Sequence, residues 1–174
     1  MALKATIFKA AVQVSDTDRH YYQSHVLTLA RHPSETDERM MVRLLAFALH
    51  AHEALEFGKG LSTDDEPDLW QKDLTGAIQL WIDVGQPDEK RLRKACGRAD
   101  DVVVYSYGRA AVPWLAQIAD TVARSRNLRV RKIPTEATQA MAKLAQRNMD
   151  LSYTVQEGQV WVAGGNETVL VTLD

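Results

Sequence analysis

A single cysteine, Cys96, stands in 174 residues. It excludes an intrachain disulfide and any multi-cysteine zinc centre, and it fits a reducing compartment. Glycine and proline are sparse, nine and five residues, while 45 % of the chain is hydrophobic and 25 % charged. Those values exclude disorder, collagen-like repeats and low-complexity architecture. No apolar run approaches the roughly 20 residues that span a bilayer. Residues 1–10 lack the unbroken apolar stretch and the small-residue cleavage site of a leader peptide. Charge of one sign is lacking too, because the formal net charge is −2. The protein as a whole is no polycation seeking nucleic acid or anionic lipid. The expectation is one cytoplasmic domain over residues 1–174 with no membrane partner.

Familiar chemistry is also missing. There is no G-x-x-x-x-G-K-[ST] phosphate loop, no G-x-G-x-x-G and no G-x-S-x-G nucleophile elbow, and nothing indicates an organic cofactor. His50-Ala-His52-Glu53 suggests a metal-binding helix only superficially. Residues two apart on a helix point in opposed directions and cannot chelate one ion together.

What is present is alternation. Thr6, Phe8, Ala10, Val12 and Val14 share one face of a strand expected over residues 3–14. Ser15-Asp-Thr-Asp18 supplies a turn, and a second strand over 20–31 completes a hairpin. Ser34 is the expected cap of a long helix reaching Phe57-Gly58, with Glu35 and Asp37 on the positive end of its dipole. On that helix Met41, Leu44, Leu45, Ala48, Leu49 and Leu55 form the apolar arc. Arg39, Arg43 and His50 fall opposite, in solvent. Glu38 falls at the edge of the arc, a costly place for an idle carboxylate.

An acidic loop, Thr63-Asp-Asp-Glu-Pro-Asp68, precedes a strand over 77–84. Asp88 caps a basic helix through about Ala99. Then follow a strand at Asp101–Tyr105, a helix over about 109–123, a strand near Leu128–Ile133 and a helix from Pro134 to Asn148-Met149. Two or three antiparallel strands occupy 150–172. The middle thus reads strand–helix–strand–helix–strand, which implies parallel crossovers. The expected class is α/β, or α+β with one mixed sheet.

The acidic residues come in a suggestive order: Glu38 on the first long helix, Asp68 after Pro67, Asp83 near the end of the following strand. Such carboxylates can gather at one end of a sheet, bind Mg²⁺ and position a water against a phosphodiester. The same three positions read equally well as an Arg-paired helix start, a turn residue and a strand cap. Arg31, His32, Ser34 and Glu35 form a second polar group at a strand–helix junction, where a helix N-terminus can bind an anion. Ordinary capping and an Arg–Glu pair is the alternative there. Lys90, Arg91, Arg93, Lys94 and Arg98 are five cations within nine residues, and Arg124, Arg126, Arg129, Arg131 and Lys132 are five more. Facing one way they could neutralise several phosphates; facing solvent beside acidic neighbours they are ordinary surface. Trp81 shares a strand face with Gln79 and Asp83, which makes both neighbours of any site there.

A family resemblance runs through these segments. Leu27-Thr-Leu-Ala-Arg-His-Pro-Ser-Glu-Thr, Glu38-Arg-Met-Met and Arg43-Leu-Leu-Ala resemble the YaeQ family in order and spacing. Asp64-Asp-Glu-Pro, Leu80-Trp-Ile-Asp-Val-Gly, Pro87-Asp-Glu and Lys94-Ala-Cys96 continue that resemblance over essentially the whole chain. The family is a bacterial group of unsettled function. The resemblance implies a two-layer variant of the restriction-endonuclease-like PD-(D/E)XK fold, with Glu38, Asp68 and Asp83 as its Mg²⁺-binding, catalytic carboxylates and a nucleic acid as partner. In that motif a lysine follows the strand acid by two residues and supports the attacking water. Here Gly85 stands at that place, and Lys94 or Lys90 on the next helix is the candidate replacement. Three readings therefore enter the structure: a Mg²⁺-dependent nuclease, a non-catalytic nucleic-acid-binding or adaptor module with a degenerate cleft, and an anion site at the Arg31–Glu35 junction.

Overall fold

The computed structural model describes residues 4–173. Not one mixed sheet but two are formed, each of five strands. The chain divides into two compact units, one made of residues up to Ala51 together with Glu136–Leu173, the other of His52–Thr135.

In the first unit, β1 (Thr6–Asp16) and β2 (Tyr21–Arg31) form the expected hairpin; residue 3 of the expected strand, like residues 1–3 of the segment read for a leader, lies outside the described residues. β8 (Asn148–Gln156) runs parallel to β1. β9 (Gln159–Gly164) and β10 (Glu167–Thr172) complete the sheet in the order β10-β9-β8-β1-β2. Strict alternation puts Ala10, Val12, Val14, Leu151, Tyr153 and Val162 on the buried face. Asp18 locks one end, accepting hydrogen bonds from the backbone N–H groups of Glu157 and Gly158.

Helix α1 spans Asp37–Leu49, shorter than the sequence suggests at both ends. Thr36, not Ser34, is its cap, accepting from the Arg39 N–H at 3.1 Å. Its end at Leu49 has a tertiary cause. Arg19, across the hairpin turn, donates to the carbonyls of Leu49 and Ala51, satisfying acceptors that a continuing helix would have used. His52 consequently lies outside the helix and exposed, its Nδ1 accepting from the Ala54 N–H. α4, Thr135–Ala142, likewise stops short of Asn148, where β8 begins.

In the second unit the sheet order is β3-β4-β5-β6-β7. β3 (Leu55–Phe57), β4 (Leu69–Lys72) and β5 (Ile78–Val84) are antiparallel. β5, β6 (Ala99–Ser106) and β7 (Leu128–Lys132) are parallel, linked through α2 (Glu89–Arg98) and α3 (Ala111–Arg124). That is the strand–helix–strand–helix–strand order read from the sequence, and Asp88 caps α2 as expected, accepting from the Arg91 N–H. Trp70, Trp81, Val102, Val104, Leu92, Ala95, Trp114 and Ile118 bury one common core. No helix among the described residues is long and apolar enough to cross a membrane.

Candidate functional site

Two of the three expected carboxylates belong to the second unit. Asp68 immediately precedes β4 and Asp83 is the penultimate residue of β5, and each is 2 % exposed. Burying carboxylates this deeply requires partners. Asp68 Oδ2 accepts from the Val84 N–H at 2.8 Å, and its own N–H donates to the Ile82 carbonyl. Asp83 is held by Arg91 in a two-point grip, Nε to Oδ2 at 2.9 Å and Nη2 to Oδ1 at 3.0 Å. The same guanidinium donates to the carbonyls of Asp64 and Glu66. Burial works against the charge on Arg91. The hydrogen bonds and charge of Asp83, with Asp68 and Asp64 behind them, more than offset it and hold its pKa above the ordinary value.

The backbone here is shaped for this approach. Gly60 sits at φ +49°, and a Cβ on it would lie 2.3 Å from Asp68 Oδ1; one on Gly58 would lie 2.2 Å from the Pro67 carbonyl oxygen. Gly58 and Gly60 instead donate their N–H groups to the carbonyls of Asp68 and Pro67. Only glycine lets the chain pass this close to the buried acid.

Glu38 belongs to the first unit, where its Oε2 accepts from the Thr138 hydroxyl at 2.8 Å. Within neither unit do three His, Cys, Asp or Glu side chains gather, among the described residues, in a group able to hold a metal ion. Lys94 pairs with Asp65 at 3.2 Å on the surface, and Lys90 is exposed. Gln79 is exposed and bonded to Gln71. Trp81 is buried, with the guanidinium carbons of Arg98 and Arg91 5.1 and 5.8 Å from its ring centre.

The junction at Arg31–Glu35 is filled from within. Arg31 pairs with Asp37 and stacks over Phe8. His32 Nδ1 bonds the Ser34 hydroxyl at 2.7 Å. Glu35, buried, accepts from Arg39 at 2.6 Å and from both Nε and Nη2 of Arg43. Arg43 is thus buried, 5 % exposed, and not in solvent as its place on the helical wheel suggests. A partner eight residues earlier compensates its charge, which periodicity cannot register. The second basic run also divides. Strand periodicity turns Arg129 and Arg131 to one face of β7 and packs Leu128 and Val130 against the α2–α3 core on the other.

Sequence reasoning missed Arg91 as the central residue. The usable signal was its place in the first turn after Asp88, directly beyond the strand that carries Asp83. It also missed the clasp made by Gly58 and Gly60.

The family model described as YaeQ protein matches residues 1–173. Proteins named "Uncharacterized protein YaeQ" from Salmonella typhi and Escherichia coli (strain K12) are each 44 % identical over 174 residues, covering 99 % of this chain and 96 % of their own. The crystal structure of a YaeQ protein from Xanthomonas axonopodis pv. citri is similar at TM-score 0.93 and 53 % identity, over 97 % of this chain and 96 % of that one. A second, from Pseudomonas syringae, gives 0.94 and 36 % over 98 % and 94 %.

Proposed function

The chain belongs to the YaeQ family, and we propose that it acts in the cytoplasm as a non-catalytic module that binds the phosphate backbone of a nucleic acid. The observation that carries this reading is the grip of Arg91 on both oxygens of Asp83. A PD-(D/E)XK nuclease needs that carboxylate open to Mg²⁺. Here a guanidinium takes the cation's place beside Asp68 and Asp83, so the donor set does not fit a resident metal. Of the two lysines named as replacements, Lys94 is engaged with Asp65 and Lys90 is exposed, while the side chain that grips Asp83 is Arg91. The cations of α2 support the binding half of the reading. Lys90, Arg93, Lys94 and Arg98 are all exposed on one ten-residue helix.

The test is fluorescence anisotropy with labelled single- and double-stranded DNA and RNA, with and without Mg²⁺ and Mn²⁺, over stepped salt. Binding without cleavage is expected, with a logarithmic salt slope of roughly 0.7 per single-strand phosphate contact. Replacing Lys90 and Arg93 by Gln should lower that slope by about 1.4. Metal-dependent cleavage lost in Asp83→Ala refutes the reading in favour of a nuclease. No binding at about 50 mM salt, where backbone contacts are strong, refutes both.

A further inference from the structure

Four of the five cations on α2 are engaged in this structure: Arg93 pairs with Glu89 on its own helix, and the other three meet a separate segment of the chain. Arg91, Lys94 and Arg98 recur at i, i+3 and i+7, so they form one row along the helix. The segment Asp64–Glu66 lies along that row. Arg91 donates to the carbonyls of Asp64 and Glu66 at 3.0 and 2.9 Å, Lys94 pairs with the Asp65 carboxylate, and Arg98 donates to the Asp65 carbonyl at 2.9 Å. Every cation in the row thus meets an oxygen acceptor of this segment, in the way such a row meets successive phosphate oxygens. The row is itself well placed, because Arg91 is anchored on Asp83 and both arginines stack toward Trp81.

The segment is built as a strap more than as core. Asp64 and Asp65 are exposed. Its internal bonds are short-range, from the Asp65 N–H to the Thr63 hydroxyl and from the Lys59 N–H to the Glu66 carboxylate. Behind it, Pro67 and Asp68 are fixed by Gly58 and Gly60, so the strap is tethered at the end nearest the buried acid. Its hold on Lys94 is an exposed ion pair, which is weak, and its hold on Arg98 is one exposed hydrogen bond to the Asp65 carbonyl.

We infer that residues 63–66 are an internal competitor, a strap that occupies the phosphate-contacting row Arg91–Lys94–Arg98 and yields it to a phosphodiester chain. This rests on the proposed binding of nucleic acid and adds its regulation. The protein binds below its intrinsic affinity by the fraction of time that the strap is seated. Neutralising the strap raises affinity by more than its change in net charge explains.

The experiment compares three full-length proteins: the parent, the strap variant Asp64→Asn with Asp65→Asn, and a control, Glu53→Gln with Asp120→Asn, which changes net charge equally at exposed positions off the row. Each is titrated with a labelled single-stranded 20-nucleotide DNA, and amide hydrogen exchange of residues 61–66 is followed with and without it. The strap variant loses the Asp65–Lys94 pair and keeps the carbonyl bonds to Arg91 and Arg98, so it should bind about two- to fivefold tighter than the control, and exchange of 61–66 in the parent should accelerate on binding. Equal affinity of strap variant and control, or slower or unchanged exchange at 61–66 in the bound parent, overturns the strap while leaving nucleic-acid binding intact. Failure of all three proteins to bind overturns the binding reading and the strap with it.

Discussion

Replacing Asp83 by Asn separates an ion pair from an empty metal site through stability alone. In a carboxylate cluster that awaits a cation, like charges repel, and removing one relieves the apo-protein. Asp83 is instead the partner of Arg91, itself only 20 % exposed at the side chain. Breaking one side of a fully buried pair costs about 3–5 kcal/mol. Arg91 keeps two carbonyl acceptors and the nearby charge of Asp68, so the lower end, about 3 kcal/mol, applies. For a chain of this length that is a fall in Tm of roughly 6–12 °C. Arg91→Met should cost a similar amount, because it strands a buried carboxylate. The double variant Asp83→Leu with Arg91→Met should recover much of the loss, and with the single variants Asp83→Leu and Arg91→Met it closes a double-mutant cycle that reads the coupling. Thermal and urea unfolding at constant pH and low salt supply the numbers. An Asp83→Asn protein as stable as the parent, or more so, refutes the reasoning.

Further expectations follow from other contacts. Glu35→Ala should destabilise by about 3–5 kcal/mol in urea unfolding, since it strands the buried Arg43, and added phosphate should restore none of it. Gly60→Ala should cost about 2 kcal/mol through its positive φ and its collision with Asp68, whereas Gly97→Ala, with open space around its Cβ and a place within α2, should gain about 0.5–1 kcal/mol. His25 is held below its ordinary pKa of 6.5 by burial, so the unfolded chain binds its proton first as the pH falls. Its neutral form in the fold therefore costs nothing above pH 6.5 and stability declines below it. His25→Phe, which preserves the ring edge against Phe47, should flatten that part of a stability–pH curve.

The elements that periodicity governs were legible in the sequence: the β1–β2 hairpin, the parallel β5–α2–β6–α3–β7 series and the Asp88 cap. Division into two sheets was not, because alternation reports a strand's faces and says nothing of which strand it joins. The parallel pairing of β1 with β8 links residues about 140 apart and leaves no local trace. The end of α1 depended on Arg19 from another element, again invisible to a helical wheel. Asp68 and Asp83 stood out in the sequence as candidate metal ligands by their order along the chain; that both are buried was not legible there. Their partner was hidden within a cluster of five cations that looked alike; only the strand–turn–helix geometry after Asp83 distinguishes Arg91 from its neighbours.

The most direct measurement is of the carboxylates themselves. Crystals grown without metal and soaked in Mn²⁺ would show by anomalous scattering what Asp68 and Asp83 hold. The expected result is no manganese between them, with Arg91 still bonded to both oxygens of Asp83. A manganese peak bridging the two acids, with Arg91 swung away, would contradict it.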